Sequence, residues 1–297
     1  MSIRKIVVAR GQYHDLSHDI LITLNESDKV CDLINLSQTM VGTCHIATVE
    51  KVMPDINASI VKLENGMKAF IENKRLIPDK FILRHSATKP VCQGDKFKIV
   101  ISQDSKQNKP ASCFFLDINN KEKSQLDYII DLITKKDSLD IQLILDSDLD
   151  YETGRAFRQY EDREFSLWNL YGITGILDKA LSKIVHLSNG GSILIETTAA
   201  MNVIDVNTAT NSGRGDALTT NMLAAKEIAR QLRLRSISGI IAVDFLKMSK
   251  TKQQELKDYI KVQLVTDYGN PRLYSFTQLG LLEMTRSRTF SPIDEIF

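Results

Sequence analysis

Asp205 and Asn207 stand at i and i+2 in the stretch Val203-Ile204-Asp205-Val206-Asn207. In a strand that spacing puts both side chains on one face and turns Ile204 and Val206 toward the other, into a core. A carboxylate on a buried strand needs a reason, because an unpaired charge in a core is costly. Asp244 repeats the pattern, following the apolar run Ile240-Ile241-Ala242-Val243 at the end of a second predicted strand. Sites in layered α/β sheets gather at the carboxyl ends of strands, so two such strands would bring Asp205 and Asp244 together. Close carboxylates repel, and a divalent cation relieves the repulsion. Hard oxygen ligands with open water positions suit Mg2+. Such an ion polarises a phosphodiester and activates water. Asn207 would orient Asp205 or donate to a phosphate oxygen. Pattern alone leaves a blander reading open, in which each aspartate caps the next loop or pairs with an arginine.

A second group of residues points to a polyanion. Lys226, Arg230 and Arg233 fall at i, i+4 and i+7 on one face of a predicted helix, and Arg235, Lys247, Lys250, Lys252, Arg272, Arg286 and Arg288 follow. From Lys226 to Arg288, lysine and arginine outnumber aspartate and glutamate, as a phosphate-binding surface requires. The glycine-rich loop Asn211-Ser212-Gly213-Arg214-Gly215-Asp216 would let Arg214 approach a nucleic-acid backbone closely, although most such loops are plain turns.

These residues must be held by folded elements, and the chain has the means. Its 297 residues are 43% hydrophobic and 25% charged, an ordinary globular composition large enough for two or three units. The net charge of +1 names no partner, so any nucleic-acid site must concentrate positive charge locally. Cys31, Cys44, Cys92 and Cys113 lack zinc-ligand spacing, which argues against structural zinc and fits a reducing, cytoplasmic setting. The apolar run Ile6-Val7-Val8-Ala9 is too short for a signal peptide, and no stretch is long enough to span a bilayer.

Along the chain, residues 1–38 read as short strands with a polar turn around His14 to His18. Residues 39–120 read as a small five-stranded β-barrel of the OB type. Its short apolar runs are separated by turns such as Asn65-Gly66, and its loops carry Lys51, Lys62, Lys68 and Lys109. Residues 121–185 suggest a helix over Ser124–Ile133, a strand over Ile141–Leu145, an acidic run through Asp146, Asp148, Asp150 and Glu152, and a helical pattern over 166–185. Residues 186–297 alternate strands and helices: strands at 192–195, 202–206 and 240–245, a helix over Leu218–Leu234, and a helix capped by Ser249 that runs to about Tyr268. The fold class is therefore mixed α+β and α/β, in several units.

Four blocks then acquire a joint meaning. Ile204-Asp205-Val206-Asn207, Glu227 to Arg235, Gly239 to Phe245, and Gly280-Leu281-Leu282-Glu283-Met284-Thr285-Arg286 resemble, in order and spacing, the catalytic core of the ribonuclease E/G family. The resemblance implies an OB-fold RNA-binding barrel inserted in an RNase H-like subdomain (residues 1–38 and 121–185), followed by a DNase I-like nuclease subdomain (186–297). It implies a magnesium-dependent endoribonuclease acting on single-stranded RNA in RNA processing or decay and leaving 5′-phosphate ends. Asp205 and Asp244 match the family's magnesium-binding aspartates, and Asn207 matches its catalytic asparagine. Phe70 matches an RNA-stacking aromatic, and Lys109 an RNA-contacting lysine.

The chain also departs from the family pattern. Ala199 stands at an acidic position in the block Thr198-Ala199-Ala200-Met201, Lys247 stands at another, and Ile60 replaces a second stacking aromatic. The barrel leads straight to residue 121 with no recognisable 5′-monophosphate sensor, and no zinc-link cysteines follow by Phe297. These departures imply cleavage independent of 5′-end phosphorylation and no zinc-linked dimer. They also keep alive a catalytically reduced RNA-binding protein, or a scaffold with protein partners in an RNA-processing complex.

Overall fold

The computed structural model describes residues 3–106, 109–134, 141–162, 164–208 and 217–297. The chain begins with three antiparallel strands, β1 (Ile3–Tyr13), β2 (Leu16–Asn25) and β3 (Val30–Asn35). The β1–β2 hairpin turns on His14 and Asp15, with φ of 47° and 63°. Positive φ at both central residues matches the right-handed twist of the flanking strands. His18 is not in that turn: it is buried, with Nδ1 3.0 Å from Asn35 Nδ2.

Five strands then close a barrel in the order β4-β5-β6-β8-β7. They are β4 (Cys44–Met53), β5 (Ala58–Leu63), β6 (Lys68–Glu72), β7 (Lys96–Gln103) and β8 (Ala111–Leu116). Alternation fills its interior with Ala47, Val61, Ile71, Phe97, Ile99 and Ile101 and leaves lysines outside. Closure removes the edges that would otherwise invite pairing with another chain.

The chain returns to the first sheet through α1 (Gln125–Thr134), β9 (Gln142–Asp146) and β10 (Arg158–Tyr160), giving the order β10-β9-β1-β2-β3. Two short helices follow, α2 (Leu167–Leu170) and α3 (Ile173–Leu181). The uninterrupted apolar run of β1 now has its reason, because the sheet is covered on both faces. Ile6 and Val8 pack on α1, while Val7 and Ala9 pack on α2 and α3. The single helical pattern read over 166–185 is thus broken. Gly172 takes a left-handed conformation (φ 59°) between the helices, and residues 184–186 leave as a strand.

The last unit is a mixed sheet of order β11-β12-β13-β14-β16-β15. Its elements are β11 (Ile184–His186), β12 (Ser192–Thr197), β13 (Asn202–Asn207), α4 (Ala217–Leu234), β14 (Gly239–Asp244), α5 (Lys250–Leu264), β15 (Arg272–Phe276), β16 (Leu281–Arg286) and the short α6 (Ile293–Ile296). β13 and β14 are parallel, and α4 is their crossover. Ile204, Val206, Ala225, Ile228, Leu232, Val243, Leu256 and Ile260 form the core between the sheet and the two long helices. Among the described residues no helix covers the opposite face: Val203 is 38% and Ile240 51% exposed. Ser249 caps α5 by accepting from Lys252 N, but the helix stops at Leu264, short of Tyr268. Tyr268 is buried instead, its ring 5.5 Å from the Arg233 guanidinium and 4.9 Å from that of Arg286.

Candidate active site and nucleic-acid interface

The register of the parallel pair decides the position of the two aspartates. Asp205 of β13 is the direct partner of Asp244 of β14. Neighbouring strands lie about 4.8 Å apart and register partners point to the same face. Both side chains therefore stand side by side on the helix-free face, Asp244 exposed and Asp205 half-buried. Asn207, two residues on, shares that face, and its Nδ2 donates to Asp205 Oδ2 at 2.9 Å. Among the described residues, neither aspartate forms an ion pair with a lysine or arginine. The alternative of arginine-paired aspartates therefore has no support among them. Again among the described residues, no group of three or more histidine, cysteine or acidic side chains gathers as a metal cage. The two carboxylates stand as a pair.

Backbone fits and amide clamps fix this arrangement. Gly191 passes so close to β13 that a Cβ there would lie 2.8 Å from the Asn207 carbonyl oxygen. Asn221 of α4 is fully buried; its Nδ2 donates to Leu246 O at 2.9 Å and its Oδ1 accepts from Leu246 N at 3.0 Å. The pair of bonds pins the segment that leaves β14 just after Asp244. Asn202 does similar work at the other end of the strands, where its Nδ2 donates to Ser238 O at 2.9 Å. Sequence reading passed over both asparagines. The signal was present for Asn221, which sits one helical turn before Ala225 on the apolar stripe of α4, where an amide needs a partner.

The barrel sets Lys109 on the same groove as Ile60 and pairs Phe70 with Ile60. Ile60 and Phe70 are register partners on β5 and β6, both half-buried. A groove of about 760 Å³ runs past Ile60, Lys51, Met67, Lys68, Glu50 and Lys109. Lys68 is tied to Glu50 at 2.8 Å, whereas Lys51 and Lys109 are exposed. The groove thus offers apolar surface for bases beside cationic ends for phosphates.

The basic helix face is a different matter. Lys226 is exposed, but Arg233 is 2% exposed and bound to fully buried Asp32 of β3, with Nε 2.7 Å from Oδ1 and Nη2 2.6 Å from Oδ2. Burial alone would lower the pKa of Arg233, but Asp32 outweighs it and holds the guanidinium charged. Arg230 is engaged by Glu227 and donates to Val30 O at 2.6 Å. Burial alone would raise the Glu227 carboxyl; Arg230 and Lys29 hold it below its ordinary value instead. Arg233 and Arg230 are therefore fasteners between α4 and β3, and neither is free to grip RNA. The i, i+4, i+7 spacing was right about the helix, but this face of α4 packs against the first sheet. Arg286, bound to Asp267 at 2.8 Å and 1% exposed, is internal in the same way. Arg214 lies outside the described residues.

No helix among the described residues is long and apolar enough to cross a membrane. The four cysteines are free thiols.

Comparison with known proteins adds an independent line. The profile described as "Ribonuclease E/G family" matches residues 100–289. Ribonuclease E of a Nostoc species is 42% identical over 149 residues, covering 48% of this chain and 22% of that protein. Ribonuclease E of Escherichia coli is 36% identical over 137 residues, covering 44% of this chain and 13% of that protein. Ribonuclease G of Haemophilus influenzae is 36% identical over 135 residues, covering 44% of this chain and 28% of that protein. The matched segments thus span between 13% and 28% of the length of these relatives.

Proposed function

Because the chain belongs to the ribonuclease E/G family, we propose that it is a magnesium-dependent endoribonuclease that hydrolyses single-stranded RNA in the cytoplasm and leaves 5′-phosphate ends. The observation that carries the reading is the direct pairing of Asp205 with Asp244 on the open face of the sheet.

The donor set fits a hard divalent cation. Two carboxylates beside one another, exposed or half-exposed and unpaired with cations among the described residues, offer oxygen ligands and leave room for water. Asp205 and Asp244 would hold the ion, which when bound lowers the pKa of an attacking water and offsets charge on the phosphodiester. The protein's own part is positioning. The amide of Asn207 holds the carboxylate of Asp205 through Oδ2 and leaves Oδ1 available. Asn221 fixes the backbone that follows Asp244. The barrel groove, with Ile60 and Lys109, and Phe70 paired with Ile60 on the neighbouring strand, would hold unstacked bases and their phosphates ahead of the cut.

Ala199 and Lys247 favour the second reading, a protein that binds RNA with reduced or no cleavage. Incubation with a fluorogenic AU-rich single-stranded RNA, in magnesium or in EDTA, separates the two. The nuclease reading expects magnesium-dependent cleavage with 5′-phosphate products, at comparable rates on 5′-monophosphate and 5′-hydroxyl substrates. Intact RNA in every tube with binding preserved establishes the second reading. A large preference for 5′-monophosphate refutes end-independence alone.

A further inference from the structure

A second site lies at the opposite end of the β13–β14 pair from the two aspartates. A pocket of about 300 Å³ opens where the end of α3, the end of β12, the start of α6 and the chain leaving α4 converge. Arg235 lines it. This arginine is 7% exposed, and its Nε donates to Gln231 Oε1 at 2.5 Å, yet its Nη2 is buried without a hydrogen-bond partner. A buried guanidinium with an unsatisfied donor is an expensive arrangement unless an acceptor arrives. Gln231 cannot supply a charge, and its own amide nitrogen is committed to Glu227 at 2.8 Å. Glu227 in turn is shared by Arg230 and Lys29. Burial, aided by the neighbouring charge of Arg230, pushes Arg235 down to about 10. Arg235 is therefore left with no carboxylate bonded to it in this network.

The rest of the pocket limits what fills that place. Lys183 and Glu196 at the mouth neutralise one another at 3.0 Å. Asp294 of α6 adds a carboxylate that helps keep Arg235 charged without bonding to it. The hydroxyls of Thr197 and Thr198 donate to Asn202 Oδ1 and Met201 O, so they are already used. One guanidinium whose Nη2 lacks a partner, with the Asp294 carboxylate near it, suits a ligand with a single negative charge better than a dianion.

We propose that this pocket is a binding site for a small, singly charged oxyanion, seated on Arg235 and remote from the paired aspartates. The shared chemistry is that of a carboxylate or a phosphodiester. The site is independent of the nuclease reading.

The test follows the Arg235 side-chain Nε–H resonance by NMR, with chloride holding ionic strength constant. Acetate and dimethyl phosphate serve as separate probes, and Arg235→Gln and Asp294→Asn as variants. The expected result is a saturable shift with one or both probes, absent with chloride. It identifies the carboxylate source if acetate alone acts, and the phosphodiester source if dimethyl phosphate alone acts. Asp294→Asn, which removes the opposing charge from an exposed position, tightens binding severalfold, and this arm stands even if Arg235→Gln fails to fold. Overturning results are the absence of saturation with both probes in the wild-type protein and in Asp294→Asn, or saturable shifts of the backbone amides of Thr197, Thr198 and Asp294, which line the pocket, that survive in folded Arg235→Gln.

Discussion

Replacing Arg233 by methionine separates a structural arginine from an RNA-binding one. Arg233 and Asp32 are 2% and 0% exposed, and two short charge-assisted bonds of 2.7 and 2.6 Å join them. In Arg233→Met the Asp32 carboxylate keeps only the Thr23 hydroxyl on Oδ2, at 2.5 Å, and Oδ1 loses its donor. Leaving one partner of a buried pair uncompensated costs about 3–5 kcal/mol. For a chain of this size that corresponds to a fall in Tm of roughly 6–20 °C. Removing both charges behaves differently, because a well-packed apolar pair is often neutral or better. Asp32→Leu/Arg233→Met therefore recovers most of the loss, with a coupling of about 2–3 kcal/mol in the double-mutant cycle. Differential scanning calorimetry and urea titration read the stability, and fluorescence anisotropy reads RNA affinity of the folded variants. A variant that keeps its Tm within a degree and binds RNA weakly would refute the reasoning and return Arg233 to the surface.

Other expectations follow from the same contacts. Asn221→Ala frees the segment after Asp244; cleavage slows by about tenfold or more, and excess magnesium restores part of it, which a merely destabilised fold would not show. Phe70→Ala weakens single-stranded RNA binding by about 1–3 kcal/mol, and Ile60→Phe strengthens it within that range, both read by anisotropy in EDTA. Burial pushes the Cys31 thiol up to about 11 and the Cys113 thiol up to about 12 from an ordinary 9.0. Both folded values exceed the unfolded one, so their stabilising contribution is complete below pH 9.0 and is lost as pH rises through about 11 to 12. Mass spectrometry after alkylation at pH 8 finds both protected in the native protein and modified only after unfolding.

The placement of Asp205, Asn207 and Asp244 on one face of β13 and β14 was legible because strand alternation is strict. Asp205 and Asn207 share a face wherever that strand is placed, and apolar neighbours fix which face is buried. The barrel was legible for a related reason, its short runs and the Asn65-Gly66 turn, with Gly66 at φ 85°. The use of the arginines was not legible. Helical spacing puts Arg230 and Arg233 near one another but does not say whether water or β3 lies opposite, and Asp32 is some two hundred positions away in the chain. The clamp at Asn221 was hidden similarly, since its partner is the backbone of Leu246. The break at Gly172 was missed because its neighbours keep an apolar helical pattern on both sides.

The central claim is that Asp205 and Asp244 together make the magnesium-dependent cutting site. The most direct test measures single-turnover cleavage of one single-stranded RNA against magnesium concentration for the wild-type protein, Asp205→Asn and Asp244→Asn, with RNA affinity taken in EDTA on the same samples. The account predicts a saturable rise with magnesium in the wild type and its loss in both variants, with RNA affinity unchanged. Cleavage that persists at the wild-type rate in either variant would contradict it.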